Sequence, residues 1–317
     1  MTFVRTVLGD IGPEELGVTY AHEHLVIDGG RPVLMHADFD LSDVDRMATE
    51  VAGAAELGLR AVVDAMPCDA GRNAAKLADI SRRTGVHVVA PTGLHHDRYY
   101  GPAHWSHRMN VEDLADLFIA DIELGIDASD YSGPVVRRTP FRAGVIKAAG
   151  SEGGLSARDE RLFAAAALAH GRTGAPLLTH AEHGTGALEQ VRFLVEHGVD
   201  PRQIAVSHVD KIVDRVYHRE LLSTGAVAEY DGAFRWGDRP NGTLQLLEWM
   251  AEDELIGQVV LGMDAARQGY YRAYGGQPGL TYLLDGFSAQ MEERGLDASA
   301  RHRLFVVNPA RLFAVGS

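Results

Sequence analysis

Thr19-Tyr20-Ala21-His22-Glu23-His24-Leu25-Val26 reads as a strand carrying two histidines one residue apart. Successive side chains of a strand point to opposite faces, so His22 and His24 emerge on one side and Glu23 on the other. Glu23 is therefore not counted as a partner of the pair. Two imidazoles one pleat apart can grip a single metal ion. They are equally what a polar strand end looks like. The pair gains meaning only if further ligand types recur at the ends of later strands.

Outward from this strand, residues 3–8 form a shorter strand. With the turn Gly9-Asp10-Ile11-Gly12-Pro13 it predicts a small N-terminal β-hairpin. Downstream, short apolar strands are expected over 61–65, 86–93, 143–148, 175–180, 204–208, 226–230 and 258–264. Helices are expected over 41–57 with Ser42 as cap, over 72–84, and from cap Asn110 to about 124. Others run from Ser156 to His170 and over 186–197, 212–222 and 243–251. A last helix opens with Asn308 as cap and Pro309 in the first position. Residues 127–139 read as a polar surface connection. From the His22 strand onward this is eight strands with helical or connecting segments between them. Their continuous apolar character is that of parallel strands buried on both faces. The alternation predicts a (β/α)8 TIM barrel, with a doubly wound open sheet as runner-up. No repeat or linker interrupts residues 1–317, which are read as a single domain.

The formal net charge of −14 argues against nucleic acid, whose binding needs a basic surface. The one cysteine, Cys68, excludes an intrachain disulfide and a multi-thiolate zinc site. There is no signal-like N-terminus, and no apolar run approaches the roughly 20 residues of a membrane helix. A cytoplasmic protein with no membrane partner is expected. The chain has fifteen histidines, and those in His218-Arg219 and at His302 are read as surface residues.

Polar residues recur at one place in the pattern, the C-terminal ends of strands. His22 and His24 lie on the first strand, Lys147 on the fourth, His180 on the fifth, His208 on the sixth and Asp264 on the eighth. In a barrel these ends converge on one face, where active sites lie. Nitrogen and oxygen ligands without thiolate suit zinc, and also manganese, iron, cobalt or nickel. Two readings are open for Lys147. It can reach out to solvent, or its neutral amine can react with carbon dioxide to give an anionic carbamate that bridges two metals.

The stretches Thr6-Val7-Leu8-Gly9, Gly17-Val18-Thr19-Tyr20-Ala21-His22-Glu23-His24-Leu25 and Gly144-Val145-Ile146-Lys147 resemble the phosphotriesterase family of the amidohydrolase superfamily. So do Thr179-His180, Leu188-Glu189-Gln190, Gly198-Val199-Asp200-Pro201, Ser207-His208-Val209-Asp210 and Asn308-Pro309-Ala310-Arg311. The resemblance implies a distorted, amidohydrolase-like barrel with a binuclear centre and suggests a homodimer. It implies that His22, His24 and Asp264 hold the more buried metal and His180 and His208 the more exposed one. Carboxylated Lys147 and a hydroxide would bridge the two ions. In such a centre water is activated, and Asp264 is the carboxylate that takes its proton. Asp210 is read either as a support behind the ligands or as part of a salt bridge.

Specificity is expected from three loops at the strand ends. They offer Tyr99 and Tyr100; Asp231, Arg235 and Trp236; and Arg267, Tyr270, Tyr271 and Arg272. For each arginine a solvated surface role is open. Together, arginines and tyrosines around a metal site suit an anionic group such as phosphate. The polar run from Gly262 to Gly276 resembles the branch of the family that opens phosphorylated sugar lactones. Hydrolysis of an anionic, phosphorylated sugar lactone is therefore expected. The alternatives are an acyl-homoserine lactonase, an organophosphate phosphotriesterase, or a metal-containing binding protein without turnover.

Overall fold

A computed structural model describes residues 2–316. An antiparallel hairpin of β1 (Val4–Thr6) and β2 (Gly9–Ile11) comes first. Strand β3 (Thr19–Glu23) leads through α1 (Gly30–Met35) and α2 (Val44–Glu56) to β4 (Ala61–Asp64). There follow α3 (Ala74–Thr84), β5 (His87–Leu94), α4 (Val111–Glu123), β6 (Ala143–Gly150), α5 (Ala157–Thr173) and β7 (Leu177–Ala181). The barrel ends with α6 (Ala187–Glu196), β8 (Ile204–Ser207), α7 (Arg215–Ser223), β9 (Val227–Tyr230), α8 (Gly242–Glu252) and β10 (Val259–Leu261). Strands β3 to β10 pair in parallel in strict chain order. At the seam the N–H groups of Met263 and Asp264 both donate to the His22 carbonyl, at 3.2 and 2.9 Å. A Cβ on Gly262 would lie 2.7 Å from that same oxygen, so glycine lets the last strand close on the first. An open doubly wound sheet, whose strand order reverses part-way, is thereby excluded.

The interior is filled in two shells, as a barrel of this size requires. Ala21, Val63, Val89, Val145, Leu178 and Val260 pack inside, closed below by Val4, Leu16, Leu312 and Phe313. The outward residues between them pack against the helices. The floor of the site sits on the upper layer of this plug.

Several local expectations are corrected. The cap of α2 is Asp43, whose carboxylate accepts from Arg46 N, and not Ser42. Asn308 lies inside continuous helical backbone, buried, with its amide donating to the carbonyls of Ile256 and Val259. His218 is fully buried between the Ile212 carbonyl and the Tyr230 hydroxyl, whereas His302 is exposed as expected. The connection over 127–139 is tied inward: Asp127 is buried, and Asp130 pairs with buried Arg72 at 2.6 Å. At Asn308, His218 and Asp130 a polar side chain found a buried backbone or charged partner that sequence spacing does not reveal.

Candidate functional site

Three backbone irregularities aim the floor residues. Between Tyr20 and Glu23 the register of β3 against β4 shifts by one residue. Strict alternation from inward-facing Ala21 would turn His22 outward; the bulge brings His22 and His24 inward together. Ser207 ends β8, and His208 follows with φ 69°, which swings its ring back over the barrel. Asp264 lies three residues past β10 with φ 47°. Left-handed backbone is costly for a non-glycine residue and concentrates at functional sites.

The six floor residues meet. His24 Nε2 lies 3.1 Å and His22 Nε2 3.6 Å from Asp264 Oδ1. Lys147 Nζ is 3.4 Å from His22 Nε2. His208 Nε2 and His180 Nδ1 face each other at 2.8 Å. Five of the six line one cavity of about 400 Å³, and Lys147 is wholly buried beneath it.

The outer nitrogens decide what the inner ones can do. His180 Nε2 meets the Glu182 carboxylate at 2.6 Å, and His208 Nδ1 meets Asp231 at 2.6 Å. His22 Nδ1 is 3.1 Å from Glu229 and from the Ser207 hydroxyl. Each carboxylate draws the ring proton to the outer nitrogen, leaving a lone pair inside. His180 and His208 therefore present two lone pairs to each other, which repel unless a cation lies between. Burial holds all three rings neutral; His180 falls to about 3, where the nearby His208 also disfavours charge. Neutral imidazole is the form that binds metal. His24, which also keeps a buried Nδ1 without a hydrogen-bond partner, forms with His22 and Asp264 a second donor set of metal-binding size. The donors thus fit two divalent cations. His22, His208 and Asp231 also fall within metal-binding distance of one another, but Asp231 reaches the outer nitrogens and so orients the rings.

The Asp264 carboxyl is half-buried, which opposes ionisation, yet Arg235 and the histidines hold it well below the usual carboxylate range. Arg235 Nη2 donates to Asp264 Oδ2 at 3.0 Å. Burial pulls Lys147 down to about 8 against the pull of Asp264, Glu229 and Asp231.

On the rim, Tyr99, Arg235 and Arg267 line the cavity. Tyr100, Tyr271 and Arg272 do not. Tyr100 is buried, receives the His95 N–H and donates to the Cys68 carbonyl. Tyr271 is fully buried, with its hydroxyl between the carbonyls of His24 and Ala265. Arg272 is exposed and donates to the Pro278 carbonyl. Glu23, facing away from the histidines as expected, accepts from Met263 N at 2.8 Å and holds the seam. The Asp210 carboxylate accepts from Gly232 N and the Thr243 hydroxyl, which braces the backbone beside Asp231 and so supports the rings from behind. His95, Arg98, Glu182 and Lys211 line the cavity without having been singled out in the sequence. A signal existed for Arg98, inside the polar-aromatic loop from Leu94 to Tyr100, and for Lys211, three residues past His208.

A family model of the phosphotriesterase family matches residues 2–313. The chain belongs to the phosphotriesterase family. It is a hydrolase of this metal-dependent family, and its donor sets accord with that. The chain is 33% identical to the phospho-furanose lactonase of Mycoplasmopsis synoviae over 323 residues, covering 98% of this chain and 92% of that protein. The crystal structure of a lactonase from Listeria monocytogenes superposes with a TM-score of 0.90 at 28% identity, over 99% of this chain and 100% of that one. The phosphotriesterase homology protein of Escherichia coli, crystallised with phosphate in its active site, superposes at 0.86 with 31% identity, over 94% and 99%.

Proposed function

We propose that the protein opens the lactone ring of a phosphorylated sugar. The observation that carries this is a cavity whose floor suits two cations and whose rim presents Arg98, Lys211, Arg235 and Arg267. Four cationic side chains above a hydrolytic floor suit a substrate with a reacting carbonyl at one end and a phosphate at the other. The phospho-furanose lactonase relative and the phosphate-bound relative support the same substrate class.

In this reading His22, His24 and Asp264 hold one divalent ion, His180 and His208 the other, and Lys147 lies between. Bound there, the ions, zinc being best suited to the donor set, would supply a deprotonated water and polarise the carbonyl. Lys147, as a carbamate, would add an anionic ligand. Its amine adds carbon dioxide and loses one proton, a step that needs the neutral amine which burial favours. Asp264, ionised and fixed by Arg235, accepts the proton of the attacking water and returns it to the ring oxygen. Glu182, Asp231 and Glu229 keep the imidazoles aimed. A homodimer and a cytoplasmic setting complete the proposal. The family resemblance supports the first; the single buried cysteine and the lack of a membrane-spanning helix among the described residues support the second.

The test compares kcat/KM for a phosphorylated sugar γ-lactone, its dephosphorylated form, an acyl-homoserine lactone and an aryl phosphotriester. Loss of the phosphate is expected to cost more than about 100-fold, as two charge-assisted contacts imply. Equal turnover of the two sugar lactones refutes the substrate reading. A protein that binds no metal refutes the enzyme reading.

A further inference from the structure

His95 is the first residue past β5, and nearly all of its polar atoms are committed. Its backbone N–H donates to the Tyr100 hydroxyl at 2.7 Å. Its carbonyl accepts from Arg158 Nη2 at 2.8 Å. Its ring Nδ1 accepts from the N–H of His96 at 2.6 Å. The ring packs against the edge of Tyr99, with centroids 4.5 Å apart, and lies 5.1 Å from the His180 ring. It is only 7% exposed, yet it lines the cavity.

An acceptor at Nδ1 leaves the neutral ring's one N–H at Nε2, the corner turned away from its own backbone. A second proton on so buried a ring is opposed by the loss of solvent. The inward nitrogens of His22, His180 and His208 are bare. His95 therefore offers this floor a proton where the others offer lone pairs.

We propose that His95 is a further catalytic residue, whose Nε2–H donates a hydrogen bond to the lactone's ring oxygen as the ring opens. This rests on the lactone reading above. Water adds across the acyl C–O bond: its oxygen bonds to carbon, the bond to the ring oxygen breaks, and the proton taken by Asp264 passes to that oxygen. His95 keeps its own proton throughout and stabilises the charge gathering on the leaving oxygen. A bound cation would serve the carbonyl oxygen, and His95 would serve the ring oxygen. A donor locked at both backbone atoms and one ring nitrogen needs little reorganisation to act.

The experiment compares wild type, His95→Phe and His95→Gln on the phosphorylated γ-lactone and on the matching thiolactone, whose ring sulfur accepts hydrogen bonds poorly. His95→Phe is expected to lower kcat about 10–100-fold on the lactone but less than about threefold on the thiolactone, with KM little changed. His95→Gln, which restores an N–H near Nε2, should recover most of the loss. Metal content should match wild type in both variants. An equal loss on both substrates, no loss, or a missing metal each overturns the proposal. Independently, 15N spectra of the wild-type ring should show Nε2 protonated and Nδ1 bare; the reverse pattern overturns it. If wild type opens neither lactone, the lactone reading falls, and the acceptor named here falls with it. The 15N pattern still decides whether His95 is a donor.

Discussion

The floor and the rim of the cavity were built under different rules. On the floor, His22, Lys147 and His180 lie on strands, and His24, His208 and Asp264 within three residues of a strand end. On the rim, the candidates sit in loops of irregular backbone. All six floor candidates meet around one space. Of the rim candidates, Tyr99, Arg235, Arg267 and Tyr270 reach the cavity, while Tyr100 and Tyr271 are struts beneath it. A strand leaves a side chain two directions, and a parallel barrel points one of them at a shared centre. A loop leaves many, and a tyrosine hydroxyl there goes to whichever buried carbonyl needs a donor.

The contrast breaks most sharply at Lys147. Lys147→Ala should lose both ions and lower kcat/KM more than about 100-fold, read by metal analysis and lactone turnover. A variant that keeps two ions and full rate would show that the floor does not work as one unit. One layer out, Glu182→Gln removes the carboxylate from His180 Nε2. Affinity for one of the two ions should fall about 10–100-fold while the other is held, as a stepwise metal titration would show.

The lysine also carries a pH dependence. Its amine, lowered to about 8 by burial, is mostly protonated below that pH and mostly neutral above it. Only the neutral form adds carbon dioxide. At fixed dissolved carbon dioxide, reactivation of metal-free protein should quicken as pH rises, about 20-fold between pH 6.5 and 8.5. A rate independent of pH would remove the carbamate from the account.

On the rim the effects shrink and separate the two kinds of residue. Arg267→Met should raise KM for the phosphorylated lactone about tenfold with kcat kept, whereas Arg272→Met should change neither. Tyr271→Phe leaves two buried carbonyls short of a donor. It should cost about 1–2 kcal/mol in denaturant unfolding and leave KM alone. A KM effect from Tyr271→Phe would return it to the substrate-contacting residues.

The sequence by itself determined the barrel, the hairpin and the six floor positions. Strand period and chain order are local properties, and in a parallel barrel they suffice to bring distant strand ends together. Only the tertiary structure decided how those residues are aimed. The bulge in β3 and the left-handed His208 and Asp264 depend on how neighbouring strands register. Of the carboxylates behind the rings, Glu182 follows its own partner His180 by two residues, whereas Asp231 and Glu229 come from a different strand end, and nothing in their local spacing marks those two as partners. Their effect is to put each ring proton on the outer nitrogen. For His22 and Glu229 that requires three-dimensional contact between groups 207 positions apart in the chain, which no periodicity encodes.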